Sequence, residues 1–207
     1  MRLAVIDLGT NTFHLLIAEI NQGAIHILYK TNIAVKLGEG RINENLIVPE
    51  AFSRGLKALS EFSDIIREYR AEKVKATATS AIRSAQNGAE FVQAVKNKTG
   101  IQIDIISGDE EAELIYEAVK ASGALENTCL IVDIGGGSVE FILCDFDQIY
   151  WKKSYDIGAA RLMQQFFKSD PLSKMDESNL LQYLENELQE LESICKQYPP
   201  VCLIGSA

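Results

Sequence analysis

Two short stretches of this chain combine an aspartate, glycines and hydroxyl side chains in a pattern suited to handling phosphate. The first, "VIDLGTNT", contains Asp7, Gly9, Thr10, Asn11 and Thr12. The second, "VDIGGGS", contains Asp133, Gly135, Gly136, Gly137 and Ser138. A constant offset of 126 residues lays Asp7 on Asp133, Gly9 on Gly135 and Thr12 on Ser138. In each copy an apolar run ends at the aspartate, a tight turn follows and a second apolar run leads away. Glycine removes the side chain where the backbone approaches a ligand. Successive amides of such a turn can converge on phosphate oxygens, and the hydroxyls add donors. An aspartate ending a buried strand is costly unless paired or metal-bound. A hard cation such as magnesium, shared with phosphate, satisfies both aspartates. An ordinary glycine-rich hairpin accounts for one such turn, and accounts poorly for two at matching positions.

The elements around these turns read as mixed α/β. Leu3–Asp7 is predicted as a strand, Phe13–Ile20 as its hairpin partner and Ile25–Tyr29 as a third strand. Pro49 opens a segment in which Phe52, Leu56, Leu59, Phe62, Ile66 and Tyr69 recur at helical spacing, giving an amphipathic helix to about Arg70. Val74–Thr79 is strand-like, a short helix around Phe91–Val95 ends at Gly100, and Ile101–Ile106 is a strand. Ser107 and Glu110 have capping-box spacing ahead of a helix to Ala121. The pattern then restarts, with a hairpin at 130–144, a strand at Ile149–Tyr155, helices at Gly158–Phe167 and Asp176–Tyr198, and a strand from Val201. This order predicts two lobes, 1–124 and 125–207, with a cleft between them.

Composition narrows the class. The chain has 207 residues, 47% apolar and 24% charged, enough for a substantial core. The net charge of −9 argues against non-specific nucleic-acid binding. Residues 126–207 hold 6 Lys/Arg against 13 Asp/Glu, so any anion must be held by local groups. No apolar run reaches membrane-spanning length, and Asp7 interrupts the N-terminal one, so a cytoplasmic protein with no membrane partner is expected. The cysteines at 129, 144, 195 and 202 lack CxxC spacing and read as small buried apolar residues; zinc is not expected.

The ordered motifs resemble the exopolyphosphatase / guanosine pentaphosphate phosphohydrolase family, within the superfamily of actin, heat-shock ATPases and sugar kinases. "VIDLGTNTFHLLIAEI" is similar to the family's first phosphate loop and "VDIGGGSVEF" to its second; "ATATSAIRSAQNGAEF", "IISGDEEAELIYEAV" and "YDIGAARL" resemble three further segments. The resemblance implies two actin-like, ribonuclease H-like lobes and hydrolysis of terminal phosphoanhydride bonds of inorganic polyphosphate or guanosine pentaphosphate. It makes Glu111 the general base, in a helical first turn whose dipole favours a carboxylate. Arg83 becomes a phosphate contact, which a guanidinium serves well. Asp133 and Glu140 become holders of water or Mg2+. A homodimer is compatible with it.

Two departures qualify the resemblance. Glu113 stands where the family commonly has arginine, placing an anion near a polyanion site. "LIGSA" resembles the start of a further family loop, so the second lobe is expected to be incomplete and to expose apolar surface. The alternative function is a catalytically impaired module that senses polyphosphate or guanosine pentaphosphate. A sugar kinase leaves the Arg83 and Glu111 segments unexplained. The lack of a basic track favours short polyphosphate chains.

Overall fold

Alternation along Arg2–Leu8 (β1) buries Ala4, Ile6 and Leu8 and leaves Val5 and Asp7 exposed. The computed structural model describes residues 1–206, in two units that divide between Ile106 and Ser107. In the first, β1 pairs antiparallel with Thr12–Asn21 (β2), which pairs with Ala24–Ala34 (β3). On its other side β1 pairs parallel with Lys73–Ala78 (β4), followed by Ile103–Ile105 (β5), giving the order β3-β2-β1-β4-β5. Pro49–Glu68 (α1) and Gly88–Thr99 (α3) lie over the buried face, with Leu59, Phe62 and Phe91 inserted into the core beside Phe13 and Leu15. Proline at the first helical position and Gly100 at φ +78° set the ends of these two helices. Ser80–Ser84 (α2) is a short helix at the end of β4 that periodicity did not reveal.

The second unit opens with Gly108–Ala121 (α4), whose capping box is formed: Glu110 N–H donates to Ser107 Oγ (3.2 Å) and Ser107 N–H to Glu110 Oε2 (2.7 Å). Its sheet runs β8-β7-β6-β9, from Cys129–Ile134 (β6), Val139–Cys144 (β7), Ile149–Tyr155 (β8) and Cys202–Ser206 (β9). Ala112 and Tyr116 of α4 pack on one face, against Cys129, Ile131, Ile142 and Cys144. This packing joins α4 to the second sheet, so the units divide before α4 rather than at the expected 124/125 boundary. The other face carries Leu130, Phe141 and Leu143 beneath Ala159–Phe166 (α5), Lys174–Glu187 (α6) and Gln189–Gln197 (α7). The single helix expected from Asp176 to Tyr198 is thus two, joined at Leu188.

Both hairpins occur where the repeat placed them: Leu8 pairs with Phe13, and Ile134 with Val139. The third strand of the first unit extends to Ala34, well past the expected Tyr29. The reading of all four cysteines as plain apolar residues fails for one pair. Cys129 and Cys202 are register partners on parallel β6 and β9, with Cα atoms 4.7 Å apart, and form a disulfide. Among the described residues no helix is long and apolar enough to cross a membrane.

Candidate functional site

In the first unit the turn at 9–12 is held by its carbonyls. Thr10 O accepts from Leu37 N–H (2.7 Å) and Gly38 N–H (3.3 Å); Asn11 O accepts from Val35 N–H (2.9 Å) and Lys36 N–H (2.7 Å). The C=O and N–H of one planar peptide point in opposite directions. Tying these two carbonyls down turns the amides of Asn11 and Thr12 the other way. Gly9 has a steric reason as well, since a Cβ there would lie 2.9 Å from Thr12 O. The end of β4 closes against the turn: Thr79 donates to Leu8 O from both its amide and its hydroxyl (3.4 Å each). Thr10, Thr79 and Ser80 are buried polar residues here. Arg83, on α2, is half-buried and donates from Nη1 to Ile106 O (3.2 Å). Asp7 is exposed, so the burial argument that singled it out does not hold.

The second unit repeats the arrangement with tighter support. Gly135 O accepts from Ala159 N–H (3.0 Å), Gly136 O from Ala160 N–H (2.8 Å), and Gly137 O from Gly158 N–H (3.3 Å). Arg161 Nε donates to the same Gly137 oxygen (2.9 Å). All three glycine carbonyls thus point at the start of α5. The amides of Gly136, Gly137 and Ser138 face away from it and donate to no protein group among the described residues. Three consecutive amides aligned this way form a nest for an anion. Gly158 is required by contact, because a Cβ would fall 2.4 Å from the Gly137 carbonyl carbon and 2.5 Å from that of Gly136.

Asp133 and Glu140 are register partners across β6 and β7, so both project from the α4 face at the mouth of this turn. Asp133 is half-buried, and Glu140 is 1% exposed with Oε1 accepting from Ser154 Oγ (2.6 Å). The costly buried carboxylate is therefore Glu140 rather than either aspartate. Glu111 sits half-buried in the first turn of α4. Lys152 on β8 binds Asp109 O (3.1 Å) and the Glu113 carboxylate. Further along α4, Tyr116 donates to Phe146 O in the β7–β8 turn (3.1 Å). These anchors run α4 with its first turn, and hence Glu111, toward the Asp133–Glu140 end of the sheet.

Magnesium keeps several waters and needs only one or two carboxylates beside phosphate oxygens. Asp133 and Glu140, adjacent on one face with one of them buried, fit that demand. No group of three or more His, Cys, Asp or Glu suited to a metal occurs among the described residues. Sequence reasoning missed the roles of Ser154 and of the Gly158–Arg161 segment. The "YDIGAARL" motif marks that segment without revealing what it does.

Two mixed sheets, each with an aspartate and a glycine-containing turn after its first strand, define an α/β protein of the actin-like ATPase fold. The chain belongs to the Ppx/GppA phosphatase family, which matches residues 16–203. It is similar to the crystal structure of an exopolyphosphatase from Cytophaga hutchinsonii, with TM-score 0.96 and 40% identity over 99% of this chain and 66% of that one. It is 36% identical over 205 residues to a bifunctional 3-dehydroquinate synthase/phosphatase of Fusobacterium nucleatum, covering 93% of this chain and 31% of the relative. A guanosine-5'-triphosphate,3'-diphosphate pyrophosphatase of Photobacterium profundum is 32% identical over 195 residues, covering 94% and 39%. The chain thus spans less than half of either of these two curated relatives.

Proposed function

We propose that this protein hydrolyses terminal phosphoanhydride bonds, with inorganic polyphosphate or guanosine pentaphosphate as substrate and orthophosphate as product. The observation that carries the reading is the run of three outward amides at Gly136, Gly137 and Ser138, with Asp133 and Glu140 at its mouth. Phosphoryl transfer needs positioning and charge stabilisation more than covalent chemistry, and such a nest supplies both. Family membership and the names of the relatives support the same reading.

Glu111 is the group we assign to take a proton from water as its oxygen attacks the terminal phosphorus. The bond to the bridging oxygen breaks, and orthophosphate leaves a chain one phosphate shorter. The amides of 136–138 hold the phosphoryl oxygens, and Ser138 adds a hydroxyl. Asp133 and Glu140 are the residues that would hold Mg2+, which when bound neutralises phosphate charge. Asp7, Gly9, Thr10, Asn11 and Thr12, with Arg83, are read as phosphate contacts of the first unit. The impaired-sensor alternative drew on Glu113 or on the missing segment of the second lobe; the first ground is weakened because Glu113 pairs with Lys152.

The test is orthophosphate release from tripolyphosphate and from guanosine pentaphosphate, with magnesium, by the intact protein and its Glu111→Gln variant. Release that depends on Glu111 is expected, and the faster substrate names the preference. Equal release by the variant would remove Glu111 from the mechanism. Binding without release by the intact protein would favour the sensor.

A further inference from the structure

Two charged side chains are buried among the described residues, Glu140 and Arg161, and the mechanism above uses only the first. Arg161 is 7% exposed, in the first turn of α5. Burying a guanidinium is costly unless its donors are satisfied and its charge has a use. Asp156 is a carboxylate neighbour 3.7 Å from Nη2, and at 70% exposed it makes a long and solvent-screened pair. The Arg161 Nε–H donates a well-formed bond to Gly137 O at 2.9 Å. Gly158 N–H shares that oxygen at a longer 3.3 Å, so the guanidinium is the stronger anchor of the last glycine carbonyl.

That carbonyl belongs to the peptide whose N–H is the amide of Ser138. Fixing the oxygen toward α5 fixes the N–H toward the anion side. The first two carbonyls have good bonds of 3.0 and 2.8 Å from α5 amides; the third depends on Arg161. The cation also stands one peptide behind the nest, in a region where residues 126–207 are strongly acidic. It adds positive potential where the rest of that sequence opposes an anion.

We propose that Arg161 is a positioning residue of the second turn: it sets the Ser138 amide for phosphate and supplies the positive charge behind it, without touching substrate. This rests on the reading of that turn as the phosphate site. Lysine cannot reproduce the role fully, because it offers a point charge in place of a fixed planar fork.

The experiment compares wild type, Arg161→Lys and Arg161→Met in the intact protein, by tripolyphosphate calorimetry, steady-state hydrolysis and thermal melting. Arg161→Met, similar in length and without donor or charge, is expected to weaken tripolyphosphate binding and raise KM about tenfold or more. Arg161→Lys should fall between it and wild type. A melting shift in Arg161→Met with binding and KM unchanged would overturn the proposal, leaving a purely structural arginine. Wild type that neither binds nor hydrolyses tripolyphosphate would instead sink the reading of the site. A measurement independent of any variant is nitrogen-15 NMR of wild type titrated with tripolyphosphate. The Arg161 Nε–H signal should move together with the amides of Gly136, Gly137 and Ser138. Loop amides that move while Arg161 Nε–H stays fixed would also overturn the proposal.

Discussion

Glu140 lies directly across the β6–β7 ladder from Asp133, and its Oε1 accepts a 2.6 Å hydrogen bond from Ser154 Oγ on β8. Ser154 is thus an orienting partner for a carboxylate proposed to hold magnesium. Removing such partners typically weakens metal affinity about 10–100-fold. Ser154→Ala should raise the magnesium concentration for half-maximal phosphate release by about tenfold, with a smaller change in maximal rate at saturating metal. An unchanged magnesium titration would detach Ser154 from the metal. An unchanged titration in Glu140→Gln would remove the site.

Glu111→Gln keeps the shape of the first turn of α4 and removes the proton acceptor. General-base catalysis contributes about 10²–10⁴-fold in rate. Single-turnover phosphate release should slow by that order, while tripolyphosphate affinity stays near wild type. A loss of affinity matching the loss of rate would recast Glu111 as a binding residue.

Glu113, 60% exposed on its side chain, is paired with Lys152, which also holds Asp109 O. An exposed pair contributes about 0–1 kcal/mol. Glu113→Gln should therefore change kcat/KM by less than about fivefold. Lys152→Met loses both anchors of the helix start and should reduce kcat more than Glu113→Gln does. Equal effects of the two variants would show that the Asp109 contact adds nothing.

Much of this site is legible in the sequence because its key features are local. The offset repeat locates both turns, and Ser107 to Glu110 gives the cap that starts α4. What escapes is long-range. Nothing in "DIGGGS" says that its carbonyls are consumed by residues 158–161, yet those bonds decide which way its amides face. Burial misled for a related reason. Asp7 and Asp133 end apolar strands and looked buried, but Asp7 is exposed and Asp133 only half-buried, and the enclosed carboxylate is Glu140 in β7. The division before α4 likewise follows from Ala112 and Tyr116 packing on the second sheet, a contact with no marker in the linker.

Gly158 gives a sharper test of the stitched turn than any loop glycine. An alanine Cβ there would lie 2.4–2.5 Å from the backbone of Gly136 and Gly137, with no flexible side chain to give way. Gly158→Ala must displace either the turn or α5, an overpacking change of about 1–3 kcal/mol or more. Tripolyphosphate binding should be lost even in protein that remains folded. Gly23→Ala is the control: no atom lies within 4 Å of its Cβ, although φ is +84°. Its cost should come from the backbone alone, and phosphate binding should be retained.

The cysteines yield a prediction that needs no substrate. Cys129 and Cys202 are joined, whereas Cys144 and Cys195 are free. Burial, with the nearby Asp145 charge, pushes the Cys144 thiol up to about 11. Thiolate is the reactive form, so Cys144 should resist alkylation at pH 8 in the folded protein. After unfolding without reductant, peptide mapping should find Cys144 and Cys195 alkylated and 129 linked to 202. The crosslink closes a loop with 73 residues of sequence separation, worth about 4 kcal/mol in the chain-entropy account. Reduction, or Cys202→Ser, should then lower stability by up to that amount and loosen β9 from β6 first. Hydrogen exchange at Leu203 and Ile204 would report it. Four alkylated cysteines in the unreduced sample would show instead that β6 and β9 are held by their ladder and packing alone.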